Sequence, residues 1–143
     1  MKELVLFYTY SGSTKKIAEK FASENNFDIC EVTDKKRPNK FAAYTAGIVK
    51  VMKNKGREIN PLTINGNAVN FEDYGVINVF SPVWASHVTP SIVGAFKLMP
   101  SGTKIKLYMV SMSGKSEKES QSKRITDFGL EVICYEDMKS QKT

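Results

Sequence analysis

Metal-binding and nucleophilic side chains are scarce in this 143-residue chain, which has one histidine (His87), two widely spaced cysteines (Cys30 and Cys134) and one tryptophan (Trp84). One imidazole and two separated thiols cannot make the usual ligand sets for zinc or a transition metal, so no metal site is expected. No Ser-His-Asp pattern, acid/base pair or reactive thiol falls beside a candidate loop, and no catalytic residue is assigned. The chain has no Asn-x-Ser/Thr acceptor and too few cysteines for a disulfide framework, so nothing points to secretion and the expected compartment is cytoplasmic. Met1-Lys2-Glu3 leads straight into Leu4–Tyr8 without a signal-peptide pattern. No apolar run approaches the ~18 residues that span a bilayer, and no membrane contact is expected.

Acidic residues are also in deficit: 15 Asp and Glu face 21 Lys and Arg, for a net charge of +6 and an isoelectric point near 9.3. Such a balance points to anionic partners. The basic residues fall along Lys35–Arg37, Lys50–Arg57, Lys104–Lys106 and Lys115–Arg124 without interleaved aromatics or a nucleic-acid motif, so they read as solvated faces and no nucleic-acid partner is expected.

What is present is an ordinary apolar fraction, 41%, without repeats or low-complexity segments. At this length a single core is sufficient, and residues 1–143 are expected to form one domain. Leu4–Tyr8 reads as a buried strand, and Ile17, Ala18, Phe21 and Ala22 recur at helical spacing. Phe27–Val32 alternates as an edge strand would. Asn39 caps an expected helix with the stripe Phe41, Tyr44, Thr45, Ile48 and Met52, and Arg57–Asp73 reads as a long loop. Gly75–Phe80 and Lys104–Val110 are further buried strands, with a helix between them capped by Thr89 and opened by Pro90. A polar segment, Glu117–Phe128, gives a weakly anchored helix. Leu130–Tyr135 is the last strand and Glu136–Thr143 a polar tail. Alternating strands and helices make a parallel sheet covered by helices. The strand pattern fits a five-stranded order 2-1-3-4-5, which puts Cys30 and Cys134 on opposite edges, too far apart to pair within one chain.

In such a sheet ligands bind beyond the carboxyl ends of the strands, where the order reverses. Thr9–Thr14 packs hydroxyls and Gly12 into a turn that opens a helix, which suits a phosphate monoester held by backbone amides and hydroxyls without a cation. The same pattern also suits a plain helix cap. Ser81–Val88 carries Trp84, a platform for a flat ring or a core residue. Gly114-Lys115-Ser116 invites a nucleotide-loop reading that fails, because the first glycine of that motif would fall on Met109.

Taken together, Thr9-x-Ser11-Gly12-x-Thr14, Ser81-Pro82-Val83-Trp84 with Pro90 and Phe96, and Ser113-Gly114 closely resemble the short-chain flavodoxin family, from Lys2 to about Tyr135. The resemblance implies a flavodoxin-like three-layer α/β/α sandwich that binds FMN and transfers electrons. Thr9, Tyr10, Ser11, Gly12, Ser13 and Thr14 would hold the phosphate. Ser81, Pro82, Val83, Trp84 and Ala85 would pack on the isoalloxazine, with Ser113, Gly114 and Lys115 at its other edge. Two alternatives stay open: an FMN-dependent NAD(P)H/quinone-type oxidoreductase, with His87 as proton donor, and a non-redox binding module. A phosphoacceptor receiver is disfavoured, since the acidic residues it needs are absent at Thr9–Thr14 and Ser81.

The chain departs from the family in two ways. Known flavodoxins are acidic, whereas this chain is basic. Lys115 near the flavin would stabilise the anionic reduced ring, giving a less negative potential, and the expected partner is a redox protein with an acidic face or a small-molecule acceptor. The family also normally closes with a helix after strand five, but Glu136–Thr143 has no apolar stripe, so that helix is expected to be short or absent. Three alternatives are open: a homodimer over the uncovered face, a C-terminus that has been lost, or a fold that tolerates a smaller cover.

Overall fold

The computed structural model describes residues 2–140. Five strands form one sheet: β1 (Lys2–Phe7), β2 (Asp28–Glu31), β5 (Tyr74–Pro82), β6 (Lys104–Ser111) and β7 (Glu131–Lys139), all parallel, in the order β2-β1-β5-β6-β7. Counted within this sheet, that is the expected 2-1-3-4-5. The two extra numbers belong to a small antiparallel hairpin, β3 (Thr63–Ile64) and β4 (Asn67–Ala68), inside the segment expected to be a loop. Asn65 and Gly66 turn it with φ of 51° and 80°, the left-handed pair a two-residue hairpin demands.

Alternation along β1 sends Leu4, Leu6 and Tyr8 into one core and Val5 and Phe7 into the other. The first core lies under α4 (Pro90–Phe96) and α5 (Lys118–Asp127), where Ile92, Phe96 and Ile125 meet Ile77, Ile105 and Leu107. The second lies under α1 (Ser13–Asn25), anchored by Ala18 and Ala22 with Ile17 and Phe21 beside them. Phe80 and Tyr108 stack there with centroids 4.5 Å apart and planes at 11°, and Phe21 packs against both.

β7 runs on to Lys139, so the first half of the expected polar tail is strand, paired with β6 as far as Ser111. Among the described residues no helix follows it, and α1 covers that face of the sheet alone. Away from α1 the same face turns polar: Asn78 Nδ2 donates to Glu3 Oε1 at 3.1 Å, and Lys106 Nζ pairs with the same oxygen at 3.8 Å. Tyr108, on this face, has its pKa pushed up to about 12, first by burial and then by neighbouring negative groups.

The segment after Asn39 departs from expectation. Asn39 does cap it, accepting from the amide of Ala42 at 2.8 Å, and α2 (Lys40–Ala42) passes through a π-helical turn (Ala43–Gly47) into α3 (Ile48–Met52). The small residues Ala43 and Gly47, with Val51, face inward, while Phe41, Tyr44 and Met52 are 78%, 81% and 70% exposed. Of the expected stripe, Phe41, Tyr44, Thr45 and Met52 therefore face water, and Ile48 is half-buried. A close approach accompanies this: a Cβ on Gly47 would lie 3.1 Å from Cζ3 of Trp84, so the absence of a side chain there lets the helix seat tightly against the indole.

Candidate functional site

The loops after β1, β5 and β6 converge on one cleft of about 630 Å³ at the carboxyl ends of the central strands. Tyr10, Ser11, Ser13 and Thr14 line one side. Pro82, Val83 and Trp84 form the back, and Val110, Ser111, Met112 and Ser140 close the other side. The sheet dictates this convergence: β1 and β5 are neighbours whose crossovers leave in opposite directions, which opens a crevice between their ends.

The first loop is built around a helix N-terminus. Gly12 caps α1 at φ 105°, and its amide donates to Oγ1 of Thr9 at 2.9 Å, which folds the loop onto itself. Because the first intrahelical bond runs from Lys16 N to Gly12 O at 3.3 Å, the amides of Ser13, Thr14 and Lys15 precede it and are left for an acceptor. No side chain caps the helix and its first turn holds no acid. Free amides and an uncompensated positive dipole end at the mouth of a cleft suit a phosphate. Thr9 and Gly12 shape this cradle, and Ser11 and Ser13 line its wall. The cradle is neutral, because Lys15 leans away to Glu31, 3.9 Å distant.

Tyr10 is fixed from the segment after β2. Its hydroxyl donates to Pro38 O at 2.9 Å, its carbonyl accepts from Arg37 Nη2 at 2.6 Å, and the Arg37 guanidinium sits 4.6 Å over its ring. Tyr10 and Tyr8 both meet Trp84 edge-on, with centroids 5.8 and 6.4 Å away. Trp84 is thereby held upright between the cleft and the α2–α3 helix. Behind it Tyr8 donates to Asp34 at 2.7 Å, and Ser91 donates to the other carboxylate oxygen. Burial, then the Asp34 contact, pushes the Tyr8 hydroxyl well above its ordinary pKa.

After Trp84 the chain reverses through Ala85 and Ser86 at φ 47° and 67°, closed by reciprocal backbone bonds between Trp84 and His87 of 2.9 and 3.0 Å. Two non-glycine residues in this region cost of order 1 kcal/mol each, and the neighbours hold them there. Glu117 N donates to Ser86 O, and His87 Nδ1 donates to Ala85 O at 2.8 Å. With Nδ1 donating to a carbonyl, Nε2 takes the hydroxyl hydrogen of Ser120, also at 2.8 Å. His87 is 8% exposed and both its nitrogens are engaged beneath the turn, so it supports the Trp84 loop from below.

The remaining sequence-predicted residues divide. Ser81 is fully buried; it donates to Pro82 O and accepts from Thr89 N, so it splices β5 to α4 and does not reach the cleft. Ala85 lies on the far side of Trp84. Ser113, Gly114 and Lys115 lie outside the cleft lining, folded back by bonds from Gly114 N to Ser111 Oγ and from Lys115 N to Ser113 Oγ. The lining from this side comes from Val110, Ser111 and Met112, earlier in the same loop, and from Ser140, whose amide donates to Ser111 O at 2.8 Å. Their position at the end of an apolar strand was the available signal. Ser140 had none, because the extension of β7 was not visible. Arg37 was likewise missed, lying in a charged loop distant in sequence from Tyr10.

The flavodoxin family model matches residues 2–128. No curated protein matches the chain. Among solved structures, the chain is similar to a flavoprotein from Lactobacillus acidophilus NCFM in complex with FMN, at 26% identity and a TM-score of 0.76, over 94% of this chain and 91% of that one. It also superposes on a candidate flavoprotein from Bacteroides eggerthii at 15% identity and a TM-score of 0.77, over 99% and 89% of the two chains. An archaeal flavodoxin, at 13% identity and a TM-score of 0.55 over 100% and 86%, shares the fold.

Proposed function

The chain belongs to the flavodoxin family, and from that premise we propose that it binds FMN in the cleft above the sheet and serves as an electron carrier. The observation that carries this reading is the pairing, in one cleft, of a helix N-terminus with three free amides and an aromatic wall of the size a flavin needs. The amides of Ser13, Thr14 and Lys15, with the hydroxyls of Ser11 and Ser13, take the phosphate. Trp84 and Tyr10 give the ring an apolar wall and exclude water from one side of it, and Val110–Met112 close the other edge. Bound FMN supplies reversible one- and two-electron transfer.

The carrier reading is favoured over an NAD(P)H/quinone-type oxidoreductase by His87, whose two nitrogens are engaged by Ala85 and Ser120 beneath the turn and which does not line the cleft. The test is spectroscopic and kinetic. Purified protein, or protein mixed with FMN, is expected to absorb in the flavin region with one flavin released per chain on denaturation, and to show no steady NAD(P)H:quinone turnover. Steady turnover would establish the oxidoreductase instead. A colourless protein indifferent to FMN would leave the non-redox module.

A further inference from the structure

The surplus charge of this chain is not spread over it. Between Asp34 and Glu58 lie eight of the 21 Lys and Arg and none of the 15 Asp and Glu, so the other residues hold 13 bases and 15 acids and are slightly acidic. The four ion pairs among the described residues involve none of these eight bases. The same segment contains α2 and α3, whose outward side carries Phe41, Tyr44 and Met52, with Val49 half exposed. This helix borders a second, shallow groove of about 460 Å³, walled by Lys40, Tyr44 and Ile48 on one side and by Tyr10 and Trp84 on the other. Tyr10, Val83 and Trp84 line both this groove and the cleft assigned to the flavin.

We propose that the basic, aromatic face of residues 35–57 is the docking surface for a redox partner protein whose own surface is acidic around an apolar centre. The inference rests on the carrier reading for its purpose. A partner seated on Phe41, Tyr44 and Met52 lies against the far side of Trp84, next to the ring, where electron exchange needs it. Charge complementarity selects the occupant: Lys35, Lys36, Arg37, Lys40, Lys53 and Lys55 are exposed on the segment that carries the apolar stripe, and they attract an acidic rim and steer its approach, while Tyr, Phe and Met are the side chains that interface centres favour. A second copy of this chain is disfavoured, since the same segment would bring its exposed bases against their own like charges.

The test is a titration with an acidic plant-type [2Fe–2S] ferredoxin as probe and basic cytochrome c as its opposite, on protein with and without FMN. The ferredoxin is expected to bind both forms at about 20 mM salt and to weaken more than about tenfold by about 300 mM, whereas cytochrome c binds neither. Lys35→Glu/Lys36→Glu/Lys53→Glu should weaken ferredoxin binding more than about tenfold, and Phe41→Ser/Tyr44→Ser should weaken it several-fold with the salt slope kept. FMN affinity should be unchanged by either set. Binding of the unloaded protein is read without flavin, so failure to take FMN would defeat the carrier reading and leave this result standing. Ferredoxin binding that ignores both variants would overturn the docking surface. So would segment-dependent binding to phosphatidylserine vesicles or to a single-stranded oligonucleotide in place of the ferredoxin, or a dimer in sedimentation that Tyr44→Lys dissolves.

Discussion

A Cβ added to Gly12 would meet nothing within 4 Å, so the whole cost of Gly12→Ala is the left-handed backbone at φ 105°, about 1–2 kcal/mol. Thermal unfolding should fall by several degrees, with weaker FMN binding, because the turn that aims the amides relaxes. Ser13→Asp separates folding from binding. A carboxylate in the first turn favours the bare helix by a few tenths of a kcal/mol but repels a phosphate, so calorimetry should show a small rise in melting temperature while FMN titration shows more than about a tenfold loss. Cys30, buried on β2, has its pKa pushed up to about 11 from 9.0, chiefly by burial. Its neutral form is the one the fold favours, so this contribution is complete below pH about 9 and disappears as pH rises through about 11, at most about 2–3 kcal/mol. Denaturant melts should lose stability across that window, less steeply in Cys30→Val. At this scale the turn that opens α1 was legible in the sequence, because a glycine among hydroxyls interrupts the apolar strand just where the helical spacing begins. Ser81 was not, since a serine at a strand end satisfies a backbone amide as readily as a ligand.

The elements were legible where one face meets a core. β1, β5, β6, α1 and α4 follow their hydrophobic periodicity, and their order follows from the strand–helix alternation. The α2–α3 helix was read with its faces exchanged, because its buried side is made of Ala43 and Gly47, which carry no hydrophobic signal, and its exposed side of aromatics, which do. The π-helical turn shifts that register further. The seat of this helix can be tested at Gly47, where a methyl would press on the Trp84 indole 3.1 Å away. Gly47→Ala is expected to change Trp84 fluorescence and to weaken FMN binding several-fold, with a modest loss of stability. Gly94→Ala should act on folding alone: its Cβ would lie 2.6 Å from the backbone oxygen of Arg57, which cannot step aside without moving the chain, and a loss of about 2–4 kcal/mol is expected in denaturant unfolding.

For the whole molecule, two departures share one logic. Among the described residues no helix follows β7, and that sheet face carries α1, the Phe80–Tyr108 stack and a polar patch at Glu3, Asn78 and Lys106. The net charge of +6 is a local property of residues 35–57, laid beside the aromatic wall of the cleft. Lys115, the cation the sequence put near the flavin, is exposed and outside the cleft lining. The total charge was plain in the composition. Its placement needed the fold, because only the crossover from β2 back to the sheet brings this segment against Trp84. The central claim remains that the cleft is an FMN site whose phosphate end is the start of α1. The most direct measurement is a paired titration of the unloaded protein with FMN and with riboflavin, followed by flavin fluorescence. Quenching is expected at one FMN per chain, with riboflavin bound at least about tenfold more weakly because it brings nothing to the amides of Ser13, Thr14 and Lys15. Equal affinity for the two flavins, or no quenching by either, would contradict it.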